Sequence, residues 1–327
     1  MKRKLNVKLL FVIAVSFVLS HNEITAQEIL SSKLIWKGDN YAAFTSLVYY
    51  KGYYYCAFRD ANKHVDSYGE DCGVIRIIKS RDARDWTEFL VFEEPRYDLR
   101  DPKLIITPNH RLMLLTEKVL YKNGKATIRN TCTSIIRKNG KHTPLSPIGF
   151  KPDQDWNWLW NLEWVNNVAY GFMYIPHFYF VKSENGHDFI IKDKLNLHDR
   201  PTESSVAKIN KTTLLGVVRG DTKVMLGEYD LIHEKWEWKD GRYKIGCPKI
   251  IKVKNEVYIV GRSYDKGLKT TIFRYNQEEK DVERLLDIDG SKDFSYPGAV
   301  YRKGKLYVTY YLGDGYHSDI HLSIIKL

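Results

Sequence analysis

PTESSVAKINKTTLLGVVRGD, residues Pro201 to Asp221, holds a complete hairpin and two opposed charges. Two apolar runs, Val206 to Ile209 and Leu214 to Val218, flank a polar corner at Asn210-Lys211, which reads as strand, turn, strand. Glu203 stands just before the first strand and Arg219 closes the second. An antiparallel pair folds back on itself, so the start of its first strand and the end of its second lie side by side. The carboxylate and the guanidinium therefore face one region of space.

The same unit recurs along the chain. It reads SLVYY-KG-YYYCAF from Ser46, LIITP-NH-RLMLLT from Leu104, LEWV-NN-VAYGFMY from Leu162, SVAKI-NK-TTLLGVV from Ser205, IIKV-KN-EVYIVGR from Ile250 and AVYR-KG-KLYVTYY from Ala299. Successive starts are 58, 58, 43, 45 and 49 residues apart, a spacing that fits one four-stranded antiparallel sheet per unit with outer loops of variable length. Six units predict an all-β chain folded as a six-bladed β-propeller, with a five-bladed ring as the alternative, and innermost strands lining a central channel.

The first 26 residues stand apart from this pattern. Lys2, Arg3, Lys4 and Lys8 precede an apolar run from Leu9 to Leu19, and Ile24-Thr25-Ala26 offers small residues for cleavage. The run is too short to span a membrane, and a secretory signal is predicted. Residues 27–327 are then expected to form one propeller domain of an exported protein, periplasmic or extracellular, acting as a monomer. Losing four basic residues and Glu23 lowers the formal charge from +11 to +8. No basic block appears, so nucleic acid is not an expected partner, and the surplus fits an anionic glycan better. No HExxH, EF-hand or paired-histidine spacing is present, and neither metal nor cofactor is expected. Among the cysteines, only Cys56 and Cys72 are close enough in sequence to propose as a disulfide.

Chemistry-bearing residues collect at one end of the repeated hairpins. Arg59-Asp60, Glu117, Arg219 and Arg262 close second strands, 12 to 14 residues from each unit's start, and Tyr264 follows shortly after. Arg100-Asp101, Glu203 and Tyr296 open first strands. A proline marks the same strand start in Asp101-Pro102, Cys247-Pro248 and Tyr296-Pro297, which makes Asp101 and Tyr296 equivalent positions. A single charge at a strand end is ordinarily just solvated, whereas a ring of them on a concave face is a candidate binding site. Trp158 and Trp160 enter the third unit, suited either to stacking on a sugar or to packing between sheets. His317, after the last hairpin, is a candidate for the rim.

Two turns, Ser80 to Trp86 and Ser183 to Phe189, fit Ser-x-Asp/Asn-x-x-x-aromatic and resemble the Asp boxes of sialidase-type propellers. The order of Glu203 and Arg219, of Arg262 and Tyr296, and of Arg59 and Asp66 also resembles that of exo-sialidases, over essentially all of residues 27–327. This resemblance implies a glycoside hydrolase with Tyr296 as nucleophile, Glu203 as its base and Asp66 as the acid and base at the leaving oxygen; Asp60 and His64 share that short loop and are rivals for the role. A phenol with a reference pKa near 10 attacks poorly unless a base takes its proton. Sialidases with a tyrosine nucleophile are a recognised exception among glycosidases.

One segment departs from the family. Its first-blade Phe-Arg-Ile-Pro motif would fall where this chain reads Ala42-Ala43-Phe44-Thr45, without the arginine. Arg219 and Arg262 remain to clamp a carboxylate, with Arg59 or Arg100 as substitutes, so the expected sugar is acidic but not ordinary sialic acid. Two other functions fit these residues: a polysaccharide lyase using Tyr296 or His64 as base beside a uronate, and a glycan-binding propeller without catalysis.

Overall fold

The structure, a computed structural model, describes residues 27–65, 72–151, 156–174, 176–265 and 267–327. The expected signal segment, residues 1–26, lies outside them. The described residues are all-β, without a helix. After β1 (Glu28–Trp36), the chain makes six meanders. The first is β2 (Tyr41–Tyr50), β3 (Tyr53–Ala61), β4 (Val74–Ser80) and β5 (Thr87–Phe92); the second is β6 (Asp98–Ile106), β7 (Leu112–Lys122), β8 (Lys125–Ile136) and β9 (Ser146–Pro147). After β10 (Gly149–Lys151) comes the third: β11 (Trp158–Val165), β12 (Val168–Tyr174), β13 (Tyr179–Ser183) and β14 (Asp188–Lys194). The fourth is β15 (Ser204–Lys208), β16 (Thr213–Arg219), β17 (Val224–Asp230) and β18 (Lys235–Asp240). The fifth is β19 (Ile245–Val253), β20 (Glu256–Ser263), β21 (Lys269–Asn276) and β22 (Asp281–Ile288); the last is β23 (Asp293–Arg302), β24 (Lys305–Gly313) and β25 (Ser318–Lys326), completed by β1.

These meanders form a β-propeller arrangement, but with four separate blades, not the six or five expected. Four sheets of four or five strands stand alone, and the first and last meanders merge into one eight-stranded sheet. The link is a single parallel pair, Tyr41 with Ser318. It arises because the chain leaves β1, on the outer edge of the last meander, and crosses inward to begin β2. On the way the Ser318 amide donates to Asn40 O (2.9 Å) and the Gly38 amide to Asp319 Oδ1 (2.9 Å).

Apolar side chains fill the spaces between neighbouring meanders. Ile250, Val257 and Phe273 pack against Leu215, Val217 and Leu226, while Tyr307, Tyr311 and Leu322 of the last meander pack against Tyr41, Phe44 and Tyr54 of the first. The inner strands therefore bury both faces, which explains their near-continuous apolar runs, while outer strands such as β14 and β18 keep exposed positions. The turns from β4 to β5 and from β13 to β14, which carry the serine-aspartate pattern, are tied locally. Asp82 Oδ1 accepts the Arg84 and Asp85 amides (2.8 and 3.2 Å), and Asn185 Oδ1 accepts those of His187 and Asp188 (both 2.8 Å).

The proposed Cys56–Cys72 disulfide is not formed. The β3–β4 register explains this: Cys56 lies opposite Ile78, and Asp60 opposite Val74. Cys72 therefore falls about six positions along, roughly 20 Å at a strand's rise per residue.

The innermost strands approach closely at Gly298. A Cβ there would collide with the Leu47 amide nitrogen and the Ser46 carbonyl carbon, backbone atoms held in place by β2. Gly298→Ala is expected to cost about 1–3 kcal/mol, read as a lowered midpoint in urea unfolding followed by tryptophan fluorescence.

Candidate active site

A regular strand presents alternate residues to each face. In five innermost strands that alternation is broken near the start by a register shift: between Ala43 and Ser46, Arg100 and Lys103, Leu159 and Leu162, Gly246 and Lys249, and Ser295 and Gly298. Four of these bulges carry a non-glycine residue in the left-handed region: Phe44 (φ 62°), Asp101 (48°), Cys247 (43°) and Tyr296 (44°). Such a conformation costs roughly 1–2 kcal/mol per residue, and a bulge re-aims a side chain. The re-aimed groups meet. The Phe44 and Tyr296 rings lie 4.8 Å apart edge to face, and the Tyr296 amide donates to Cys247 Sγ at 3.3 Å.

Glu203 is the centre of the group. Its Oε1 accepts the Tyr296 hydroxyl at 2.5 Å and Arg219 Nη1 at 2.7 Å, and its Oε2 accepts the Cys247 amide at 2.6 Å. Arg262 lies 5.1 Å over the Tyr296 ring, while its guanidinium donates to Phe294 O (3.1 Å from Nε) and to the Tyr311 hydroxyl (3.2 Å). Trp160 closes one side, 5.9 Å from Tyr296, with Lys103 Nζ 4.7 Å over its own ring. Tyr264 stands against Gly246, on the Glu203 side.

A second carboxylate organises the neighbouring edge. Asp293 accepts hydrogen bonds from the Tyr311 hydroxyl (2.6 Å), from the Tyr41 hydroxyl and from His64 Nδ1 (3.2 Å). Arg262 Nη2 lies 3.5 Å from the same group, which links it to Tyr296. Arg100 Nη1 donates to the His64 carbonyl at 3.0 Å and its guanidinium lies 5.4 Å over Phe44.

The residues singled out from sequence thus divide. Glu203, Arg219, Arg262, Tyr264, Tyr296 and Trp160 come together, with Asp101, Arg100 and His64 adjoining. Arg59 does not reach them: it is fully buried, ion-paired to Asp98 at 2.9 Å. Asp60 turns outward to Arg76 at 2.8 Å. Trp158 stacks on Tyr174 and is buried, a packing role, and His317 sits in an exposed turn near Asp319 (3.7 Å). Asp66 lies outside the described residues. Sequence reading passed over Tyr311, Asp293, Tyr41 and Phe44. Tyr311 had a signal, since it falls 12 residues after Ala299, the offset shared with the second-strand arginines. A cleft of about 590 Å³ opens elsewhere, on the outer edge between β14 and β18. Below Tyr296 the axis narrows to a void of about 20 Å³ lined in part by Lys103, Cys247 and Lys249.

Electrostatics follow from this crowding. Burial and the Glu203 carboxylate push the Tyr296 phenol well above its usual value, against the pull of Arg262. Burial, with Glu203 beside it, lifts the Cys247 thiol to about 11, so it stays protonated. Asp101 and Glu117 are raised by burial, with Arg100 opposing at Asp101. Burial works to raise Asp293 too, but the hydrogen bonds from His64, Tyr311 and Tyr41 prevail and hold it well below the carboxylate range.

No protein-family model and no curated protein matches the chain. Solved structures do share its fold at low identity. A protein of unknown function from Dyadobacter fermentans is 17% identical with a TM-score of 0.80, covering 93% of this chain and 100% of that one. The NanB sialidase of Streptococcus pneumoniae is 9% identical (TM-score 0.68; 89% and 70% covered), and a Trypanosoma rangeli sialidase mutant displaying trans-sialidase activity is 12% identical (0.64; 86% and 54%). The chain spans about half the length of the trypanosomal protein. The likeness is one of fold, an all-β propeller of the kind found in sialidases.

Asp293→Asn removes a charge that several donors share, and is expected to cost about 1.5–3 kcal/mol at pH 7. A carboxyl whose native pKa is depressed stabilises the fold above its unfolded-state value and loses that contribution on protonation. The gap between wild type and variant in urea unfolding should therefore shrink as the pH falls below the ordinary aspartate value of 3.8.

Proposed function

We propose that this protein is an exo-acting glycoside hydrolase of sialidase-like type that removes a terminal acidic sugar from a glycan. The observation that carries the reading is the 2.5 Å hydrogen bond from the Tyr296 hydroxyl to Glu203, flanked by Arg219 and Arg262. A phenol raised so far does not ionise by itself near neutrality, so its proton must pass to Glu203 as the oxygen attacks. The attacking group is neutral beforehand, which spares it repulsion from a substrate carboxylate. Arg219 keeps donors without partners among the described residues, and with Arg262 supplies two guanidiniums for that carboxylate.

The third cationic position of the sialidase pattern is filled by Phe44, with Arg100 behind its ring and Arg59 consumed by Asp98. A grip of two arginines, with a buried aromatic ring in the third position, suits an acidic sugar that differs from ordinary sialic acid. In this reading the merged eight-stranded sheet counts as two blades, which gives a six-bladed ring, and residues 1–26 serve as the export signal. The acid and base at the leaving oxygen comes from the loop after β3.

A panel of 4-methylumbelliferyl glycosides of sialic acid, 3-deoxy-octulosonate, glucuronate, galacturonate and iduronate tests the proposal. Turnover of at least one is expected, and Tyr296→Phe should lower kcat by about 10⁴-fold or more. Glu203→Gln should lower it by roughly 10²–10⁴-fold. Tyr296→Phe turning over like wild type would refute the tyrosine mechanism, and an unsaturated product would mark a lyase instead.

A further inference from the structure

We infer that His64, held by Asp293, is the acid and base at the leaving oxygen, so that the reaction runs on a Tyr–Glu pair and a His–Asp pair. The inference rests on the glycosidase reading above. Its basis is geometric. One nitrogen of the imidazole is committed: Nδ1 lies 3.2 Å from Asp293 Oδ2 and 2.7 Å from the Tyr41 hydroxyl. The Tyr41 hydroxyl itself donates to Asp293, which leaves Nδ1 to carry a proton toward the carboxylate. Nε2 has no partner among the described residues, and the side chain is 42% exposed. The backbone is pinned from the other side, by Arg100 Nη1 on the His64 carbonyl at 3.0 Å.

The ring stands next to the nucleophile's own neighbour. Phe44 lies 5.3 Å from His64 and 4.8 Å from Tyr296 and separates the two at contact distance from both. Phe44 is buried beneath them at 1% exposure, so a sugar lying across the group would have Tyr296 at one side and the free Nε2 at the other. Of the other candidates, Asp60 is consumed by Arg76. The charged and titratable groups that face His64 are Asp293 and Tyr41 at Nδ1, Tyr311 and Arg262 behind Asp293, Arg100 at the carbonyl, and Asp101 acting through its charge. Asp293, kept anionic by its donors, accepts from Nδ1 and so turns Nε2 toward the open side.

The step balances in both halves. Tyr296 Oη bonds to the anomeric carbon and its proton goes to Glu203, while the glycosidic bond breaks and the departing oxygen takes the Nε2 proton from the imidazolium. Neutral His64 then takes a proton from water, whose oxygen bonds to the anomeric carbon; the bond to Tyr296 breaks and the phenolate recovers its proton from Glu203. The sum is glycoside plus water to free sugar plus alcohol. Asp293 and Arg100 act through His64 and are positioning residues.

The test pairs the 4-methylumbelliferyl glycoside turned over in the panel with the methyl glycoside of the same sugar. An alkoxide needs a proton to leave and a stabilised phenoxide hardly does, so His64→Asn should lose about 10²–10⁴-fold in kcat/KM on the methyl glycoside and less than about 10-fold on the aryl one. The aryl substrate should then show a burst, because the second half lacks its base, and azide should restore turnover. The alkaline limb of kcat/KM on the methyl glycoside should vanish in His64→Asn. Independently of turnover, ¹⁵N-histidine spectra of the whole protein should show neutral His64 as the Nδ1–H form, a preference that is lost in Asp293→Asn. Wild-type kinetics in His64→Asn, or an Nε2–H tautomer, overturns the inference while leaving the tyrosine mechanism standing if Tyr296→Phe is inactive. No turnover of any panel glycoside by the wild type overturns both.

Discussion

Glu203 is a buried carboxylate, 5% exposed, whose hydrogen-bond partners no single part of the chain could supply. Taking a charge out of water costs several kcal/mol unless partners replace the lost hydration. Here the partners come from three meanders: Arg219 from β16 in its own, the Cys247 amide from β19 and the Tyr296 hydroxyl from β23. Two of these donors belong to left-handed residues, Cys247 and Tyr296, each followed by proline and each at a bulge. A residue before proline is normally pushed to extended backbone, and a left-handed one with a side chain is unfavourable as well. The conformation persists because the ring surrounds it: Thr45 Oγ1 donates to the Tyr296 carbonyl at 2.9 Å, and the Gly298 amide returns to Thr45 Oγ1 at 3.0 Å. Strain at the centre of the group and satisfaction of the carboxylate are therefore one arrangement.

The hairpins were legible in sequence because their signal is local. Apolar runs and two-residue corners depend on neighbours a few positions away, so β15 and β16 appear within a residue or two of where Pro201–Asp221 places them. The pairing of Glu203 with Arg219 was legible for the same reason, both lying on one hairpin. The roles of the other strand-end charges were not. Arg59 and Arg262 occupy the same position in their units, yet Arg59 faces Asp98 across to β6 and is buried as a structural pair, while Arg262 faces the Tyr296 ring. What separates them is the identity of a residue on the next meander, information spread over dozens of residues. The same distance hides Asp293, whose partners Tyr41 and His64 lie more than two hundred residues earlier in the chain.

Ring closure also blurred the count of sheets. An N-terminal strand on the outside of the last meander fastens the circle, and the segment that returns from it must pass beneath β25 before β2 starts. A period of sequence repeats shows six units, but hydrogen bonds do not respect that division where the ends of the chain meet. Fold similarity to sialidases at 9–12% identity is consistent with this, since the shared content is packing between sheets and not side-chain identity. Phe44 makes the distinction concrete. It holds the bulge position of the first meander and touches Tyr41, His64, Tyr296 and Tyr311, so a buried aromatic ring joins the two halves of the group.

The Phe44 ring has an electrostatic consequence, because it offers the cation-attracting face that Arg100 uses at 5.4 Å. Arg262 then carries the remaining connection: it lies over Tyr296, contacts Tyr311 and stands 3.5 Å from Asp293. One guanidinium therefore stands over the Tyr296 phenol and beside the Asp293 carboxylate that holds His64. The two halves of the site are electrostatically joined at Arg262, and a change of charge on either side is felt by the other.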